Sequence, residues 1–291
     1  MPNSVCETGN SVSKGVLYVV ATPIGNLDDL TPRAVEILKQ VDFIAAEDTR
    51  HTRPLLRHYA IDTPMRSLHQ FNERAKMDSL LAELNEGASI ALVSDAGTPL
   101  ISDPGFPLVR GYAAAGGQIV PIPGASALAC ALSAAGLPTD RFLFAGFPPR
   151  SRSQRKKWLQ ELAAERATLV LYEASHRVVE SLEDMSAVFG GEREAVIARE
   201  MTKTYETFLR GNLESLLQTL QQEEDQRKGE FVVLIKGSTV VSQSRVEVDV
   251  EQMLITLLAE LPLKQAVSLA SSITGIKKNK LYNQALELSR A

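Results

Sequence analysis

Apolar and polar positions alternate along the first half of the chain in a strand-then-helix rhythm. Val16–Ala21 is an apolar, β-rich run. Over Pro32–Gln40 the apolar residues Ala34, Val35, Ile37 and Leu38 form a helical stripe. Thr31 before Pro32 supplies an N-cap followed by proline at the first helical position. Phe43–Ala46 reads as a second strand, Leu55–Tyr59 and Glu73–Asn85 as helices, and Ile90–Val93 as a strand before a long loop, Ser94–Gly105. Phe106–Ala115 is then helical, Ile119–Ile122 extended and Ala125–Ala135 helical. Strands separated by helices predict a parallel sheet covered on both faces.

A second α/β set starts near Thr139. Strands are predicted at Arg141–Ala145, Thr168–Tyr172, Ala195–Ala198 and Thr204–Arg210, with an apolar closing strand at Phe231–Ile235. Helices are predicted at Gln154–Ala164, His176–Phe189 and Leu213–Gln222. Lys236–Val248 reads as a linker. From Asp249 onward three short stripes follow: Met253, Leu254, Leu257 and Leu258; Ala266, Leu269, Ala270 and Ile273; Leu281, Ala285, Leu286 and Leu288. Thr274-Gly275-Ile276 suits the corner of a helix-turn-helix. The expected organisation is a disordered tail over 1–14, α/β domains over 15–138 and 139–237, a linker over 238–248 and a helical domain over 249–291.

A length of 291 residues agrees with more than one domain. The apolar share of 44% and charged share of 23% are ordinary for a chain that buries a core. No apolar run reaches the roughly 20 residues that span a bilayer, and the polar start lacks a signal-peptide block. Two cysteines, Cys6 and Cys130, fit neither a disulfide framework nor a zinc site, so a reducing cytoplasm and no metal are expected. A net charge of −4 argues against a generic nucleic-acid coat but leaves room for local basic faces.

Three turns rich in small residues follow strands of the first half: Thr22-Pro23-Ile24-Gly25-Asn26-Leu27, Ser94-Asp95-Ala96-Gly97-Thr98-Pro99 and Pro121-Ile122-Pro123-Gly124-Ala125-Ser126-Ala127. Ligands of open parallel sheets sit beyond the carboxyl ends of strands, where small residues allow close approach to the backbone. Neither G-x-G-x-x-G nor G-x-x-x-x-G-K-[ST] is present, so a ligand held without those phosphate cradles is expected. Each turn alone is also compatible with a plain strand-to-helix connection.

Several blocks occur in order: Ala21–Leu27, Glu47-Asp48-Thr49-Arg50, Ser94–Gly105, Pro123–Ala127, Tyr172-Glu173-Ala174-Ser175-His176-Arg177 and Arg199-Glu200-Met201-Thr202-Lys203. Together they resemble the signature blocks of the ribosomal RNA small-subunit methyltransferase I family, within the tetrapyrrole-methylase-like superfamily. The resemblance covers roughly 15–237 and extends into the tail. It implies two α/β domains with S-adenosylmethionine in the cleft between them. It also implies methylation of the 2′-hydroxyl of a cytidine in the decoding region of 16S ribosomal RNA, in the small subunit, by a homodimer. By the same resemblance Pro23, Ile24 and Gly25, Asp95 and Thr98, Ser126 and Ala127, and Tyr172, Ala198 and Met201 contact the cofactor. Relatives often have Gly-Asp-Pro where this chain has Ser94-Asp95-Ala96, so Asp95 matches and the proline does not.

A ribose hydroxyl is a weak nucleophile, and a positioned general base accelerates its attack by ~10²–10⁴-fold. Glu47, Asp48, His176, Lys203 and Glu206 are the candidates, with Glu47, Lys203 and His176 put first. Each has a plainer reading as a cap, a backbone-bonded helix start or a surface charge. RNA needs cations for its phosphates. Arg150, Arg152, Arg155, Lys156 and Lys157 form a run without an acid, and Arg50, Arg53 and Arg57 with His51 and His58 form a second cluster. Lys264, Lys277, Lys278 and Lys280 form a third, in the tail. A tetrapyrrole methylase needs an apolar acceptor cleft and no basic patches. A non-catalytic nucleic-acid-binding regulator has no need of clustered ligand turns. Both remain alternatives at this point.

Overall fold

The computed structural model describes residues 15–69, 71–239 and 250–288. The expected tail over 1–14 with Cys6, and residues 240–248 of the expected linker, lie outside the described residues. Contacts divide the chain into two units, 1–238 and 239–291.

The first unit holds two five-stranded sheets. The first sheet contains β1 (Val16–Val20), β2 (Phe43–Ala46), β3 (Met65–Ser67), β4 (Ile90–Val93) and β5 (Gln118–Ile122), in the order β3-β2-β4-β1-β5. Every pairing in it is parallel, as predicted. β2 and β4 are buried at every position, as expected for strands covered on both faces. Helices α1 (Pro32–Gln40), α2 (Thr49–His58), α3 (Glu73–Asn85), α4 (Phe106–Ala114) and α5 (Ala127–Ala135) connect the strands. Thr31 caps α1 by accepting from the Ala34 amide, as read from the sequence. α2 starts six residues earlier than predicted, because the Asp48 carboxylate accepts the Arg50 amide at 2.8 Å and caps it. β3 was not predicted; it has three residues, none fully buried.

The second sheet contains β6 (Phe142–Gly146), β7 (Thr168–Ala174), β8 (Glu194–Arg199), β9 (Thr207–Asn212) and β10 (Glu230–Ile235). Helices α6 (Arg152–Leu162), α7 (Val178–Phe189) and α8 (Leu213–Gln222) accompany them. Its order is β6-β7-β10-β8-β9, with only β6 and β7 parallel. The closing strand of the sequence is thus the central strand of the sheet. Its five apolar residues, Phe231–Ile235, are all buried, which suits that position. β9 starts three residues later than predicted, because the Glu206 carboxylate accepts the Thr202 amide and ties residues 202–206 into a turn.

α5 joins the two halves. Ala131, Leu132 and Ala135 share a buried cluster with Val196 and Ala198 of β8 and Val232 and Leu234 of β10. Arg210 of β9 donates to the Ala134 and Ala135 carbonyls at 2.6 and 3.2 Å, satisfying the helix end.

The second unit contains α9 (Val250–Glu260), α10 (Leu263–Thr274) and α11 (Lys278–Leu288) around Leu254, Val267, Ala270, Leu281 and Ala285. Gly275 caps α10 in the left-handed region, at φ 72°. The buried stripe of α10 is Ala266, Val267 and Ala270; Leu269 and Ile273, expected inside, are exposed. Among the described residues no helix is long and apolar enough to cross a membrane.

Candidate active site

Because the first sheet is parallel, the loops after β1, β4 and β5 leave it at one edge, and the strand order makes them neighbours. Backbone bonds lock them together. The Thr22 amide donates to the Gly97 carbonyl at 2.8 Å, and the Gly97 amide returns to Thr22 at 3.0 Å. The Thr98 hydroxyl donates to the Ala125 carbonyl at 3.1 Å, tying the second turn to the third. Gly97 has φ +77°, a conformation costly for any residue with a Cβ. Leu100 and Ser102 take positive φ in the same loop, as do Glu200 and Thr202 in the loop after β8. Such strain gathers at ligand sites, held by the surrounding structure.

Two cavities flank this edge. The larger, about 440 Å³, is bounded by Ile24, Thr98, Asp103, Ser126 and Ala127 on one side and by Phe147, Tyr172, Met201 and Val232 on the other. It therefore lies between the two α/β halves. Tyr172 packs edge-on against Phe144 and Phe147, with ring centroids 4.8 and 5.5 Å away, forming an aromatic wall. The smaller cavity, about 240 Å³, is bounded by Pro23, Gly25, His51, Asp95, Lys203 and Glu230 among others. Ile24, Ala96 and Glu230 line both.

Of the residues expected at the cofactor, Ile24, Thr98, Ser126, Ala127, Tyr172 and Met201 line the larger cavity. Pro23, Gly25 and Asp95 line the smaller one instead. Ala198 lines neither; it is fully buried in the core beneath α5, which corrects its assignment.

The three leading catalytic candidates occupy different surroundings. His176 is exposed and lines neither cavity. Its block owes its shape to Glu173, whose buried carboxylate accepts from the Ala174 amide, Arg177 and Ser181. Glu47 lies behind Asp95, accepting the Asp95 amide at 3.4 Å, and lines neither cavity. Burial and the Asp95 charge push its carboxyl above the usual range. Lys203 does face the smaller cavity, but its ammonium is clamped by Glu200 at 3.0 Å and Glu230 at 3.1 Å. Partial burial pushes that ammonium down, yet the hydrogen bonds to Glu200 and Glu230 outweigh it and hold it protonated. Of the other two candidates, Asp48 caps α2 and Glu206 ties its own turn.

The 150–157 run is corrected in part. Arg155 has 0% exposure, donates to Asp184 of α7 at 2.8 Å and makes an ion-pair contact with it at 2.7 Å, leaving no surface for a phosphate. Arg152 reaches Asp184 at 3.0 Å and Glu183 at 3.4 Å, and Lys156 lies 3.5 Å from Asp184. Arg150 and Lys157 are exposed. On α2, the exposed Arg50, Arg53 and Arg57 recur at helical spacing and form one basic face beside the smaller cavity.

Comparison with known proteins now bears on this architecture. The model of the Tetrapyrrole (Corrin/Porphyrin) Methylases matches residues 16–217, and that of the RsmI C-terminal HTH domain matches 245–289. The ribosomal RNA small subunit methyltransferase I of Pseudomonas aeruginosa is 50% identical over 277 residues, 95% of this chain and 98% of the relative. The protein of the same name from Escherichia coli O157:H7 is 51% identical over 94% of this chain and 96% of its own length. The chain belongs to the ribosomal RNA small-subunit methyltransferase I family. Solved structures show that the fold of this family is shared more widely. A uroporphyrin-III-C-methyltransferase from Thermus thermophilus superposes with a TM-score of 0.55 at 20% identity, covering 77% of this chain and 94% of its own. A diphthine synthase does so at 0.58 and 14%, covering 76% and 90%.

Two groups at these cavities escaped the sequence reading. Asp103 lines the larger cavity, and burial together with the Glu47 charge pushes its carboxyl up to about 6. His51, read only as part of a basic cluster, hydrogen-bonds through Nδ1 to the Asp95 carboxylate at 3.0 Å. An acid inside the long 94–105 loop was the available signal for the first. The second had none, because its partner lies 44 residues away.

Proposed function

We propose that this chain is an S-adenosylmethionine-dependent methyltransferase that methylates the 2′-hydroxyl of a cytidine in the decoding region of 16S ribosomal RNA. The observation that carries the reading is the pair of adjoining cavities at the locked turns, one walled by aromatic rings and one bordered by the basic face of α2. The relatives' names supply the class of acceptor. The working form is a cytoplasmic homodimer acting on the small ribosomal subunit.

The donor, when bound, supplies an electrophilic methyl group on a cationic sulfonium. The residues of the larger cavity suit it. Tyr172 and Phe147 offer aromatic faces to an adenine, and Asp103 offers a carboxylate to a cation. The turns at Ile24, Thr98 and Ser126 expose backbone to a close ligand. The protein's remaining task is to bring the acceptor oxygen to near-attack distance, about 3–3.5 Å, with water kept out. Arg50, Arg53 and Arg57, with the exposed Arg150 and Lys157, would hold the phosphates beside the opening.

Incubation with radiolabelled donor and either small ribosomal subunits or naked 16S RNA, followed by mapping of the modified nucleotide, tests the reading. Label in a cytidine ribose of the decoding region supports it. Label in a tetrapyrrole and none in RNA overturns it.

A further inference from the structure

We propose that His51, oriented by Asp95, is the general base that takes the proton from the acceptor hydroxyl, within the smaller cavity. This rests on the functional reading above and names the residue that would do its proton transfer. His51 stands in the first turn of α2 and lines the smaller cavity, which meets the larger one at Ile24 and Ala96. An acceptor seated in the smaller cavity would meet a methyl donor held in the larger one where the two cavities adjoin.

The orientation of His51 is fixed from behind. One carboxylate oxygen of Asp95 accepts the Asp48 amide at 2.9 Å, and the other meets His51 Nδ1 at 3.0 Å. Glu47 accepts the Asp95 amide and so positions the loop. With Asp95 ionised, Nδ1 carries the hydrogen and Nε2 keeps its lone pair. Nε2 makes no hydrogen bond among the described residues, while the ring is 70% exposed and open to a substrate. The other titratable groups around it fit other tasks. Lys203 is clamped in its protonated form by Glu200 and Glu230, Arg50 is paired with Asp48 at 2.6 Å, and the carboxylates of Asp48 and Asp95 are both engaged.

The step balances. The acceptor oxygen forms a bond to the methyl carbon while the carbon–sulfur bond breaks, its electron pair going to sulfur and neutralising the sulfonium. The hydroxyl proton passes to His51 Nε2, and the resulting imidazolium is stabilised by the Asp95 carboxylate. Bulk solvent then removes the proton.

Two measurements on the full-length protein test this. Single-turnover methylation of ribosomal subunits by His51→Gln is expected to slow by ~10²–10⁴-fold, with donor affinity by calorimetry unchanged. The parental rate is expected to rise as pH rises through the His51 titration, and that limb to vanish in the variant. Separately, nuclear magnetic resonance titration of the unliganded protein is expected to place His51 above ~6.5, the ordinary histidine value, and to bring it down in Asp95→Asn. A His51→Gln enzyme working at the parental rate overturns the proposal. So does a His51 titration that Asp95→Asn leaves unmoved. A parental protein that methylates no ribose hydroxyl overturns the functional reading and this step with it, whereas the other two outcomes strike the dyad alone.

Discussion

Removal of the Asp184 carboxylate, in Asp184→Ala, should destabilise the α/β unit far more than any surface charge change would. Arg155 and Asp184 are both fully buried, and the pair is held by one hydrogen bond of 2.8 Å and an ion-pair contact of 2.7 Å. Deleting one partner strands the other as an uncompensated charge, at a cost of about 3–5 kcal/mol. Arg155 would keep Glu180 at 3.0 Å, but that carboxylate is 48% exposed and belongs to the rim. Arg152 would lose the stronger of its two partners as well. Domain stabilities run to about 5–15 kcal/mol, so the loss is a large fraction of the total. With a urea dependence of about 2–3 kcal/mol per molar, the unfolding midpoint should fall by roughly 1–2 M. The volume-matched double replacement Arg155→Met with Asp184→Leu should recover most of it. Urea unfolding followed by circular dichroism reads the midpoint, and the salt dependence of RNA binding reads the alternative role. A phosphate contact contributes about one unit to that slope. The double variant should keep the parental slope, while Arg150→Ala and Lys157→Ala should each lower it. An Asp184→Ala protein within about 1 kcal/mol of the parent refutes the buried-pair argument. A double variant that folds but loses slope restores Arg155 to the RNA interface.

Gly25→Ala should leave the fold intact but displace Lys203, because a Cβ there would meet Lys203 Cγ at 2.5 Å and Thr202 Oγ1 at 2.8 Å. Overpacking of this kind costs about 1–3 kcal/mol, readable by thermal unfolding, and methylation should fall with it. Tyr172→Ala removes the centre of the aromatic wall and should weaken donor binding about tenfold by calorimetry, on the scale of one aromatic contact. Asp103 titrates near 6 because burial and the Glu47 charge oppose its ionisation. Affinity for a cationic donor should therefore rise as pH rises through 6, with proton release on binding. Asp103→Asn should flatten that dependence. The sign for the unliganded fold is the reverse: with its folded value above the ordinary 3.8, this group adds stability as pH falls from about 6 towards 4.

The fold was largely legible in the sequence because local signals and tertiary environment agree. β2 and β4 read as unbroken apolar runs and are buried throughout. Thr31 with Pro32 marked a helix start that the structure keeps. The three small-residue turns were legible as neighbours because strand-to-helix loops of a parallel sheet share an edge. What escaped depends on partners distant in sequence. The 150–157 run looked unpaired because Asp184 lies 29 residues beyond Arg155 and 32 beyond Arg152. Lys203 looked free to act as a base because Glu230 reaches it only through the pairing of β10 with β8. His51 looked like one more surface cation because nothing in the chain's local pattern announces Asp95 as its partner. The antiparallel pairings of the second half, with β10 at the centre, leave no periodicity that separates them from a parallel arrangement.

The central place of β10 sets an order on how the protein is made. β7 and β8 do not pair with each other; each pairs with β10, the last strand of the unit to be synthesised. A ribosome that has released everything up to Gly229 has thus released a first sheet whose strands are all present and a second sheet split in two. Phe231 and Val232, which complete the wall of the larger cavity, arrive only with that strand. Until Ile235 has emerged, β7 and β8 each offer an unsatisfied edge to any passing chain. The nascent protein must therefore wait for this strand before it has either a closed second core or a finished wall for the larger cavity, and this window is where chaperone dependence and misassembly should concentrate.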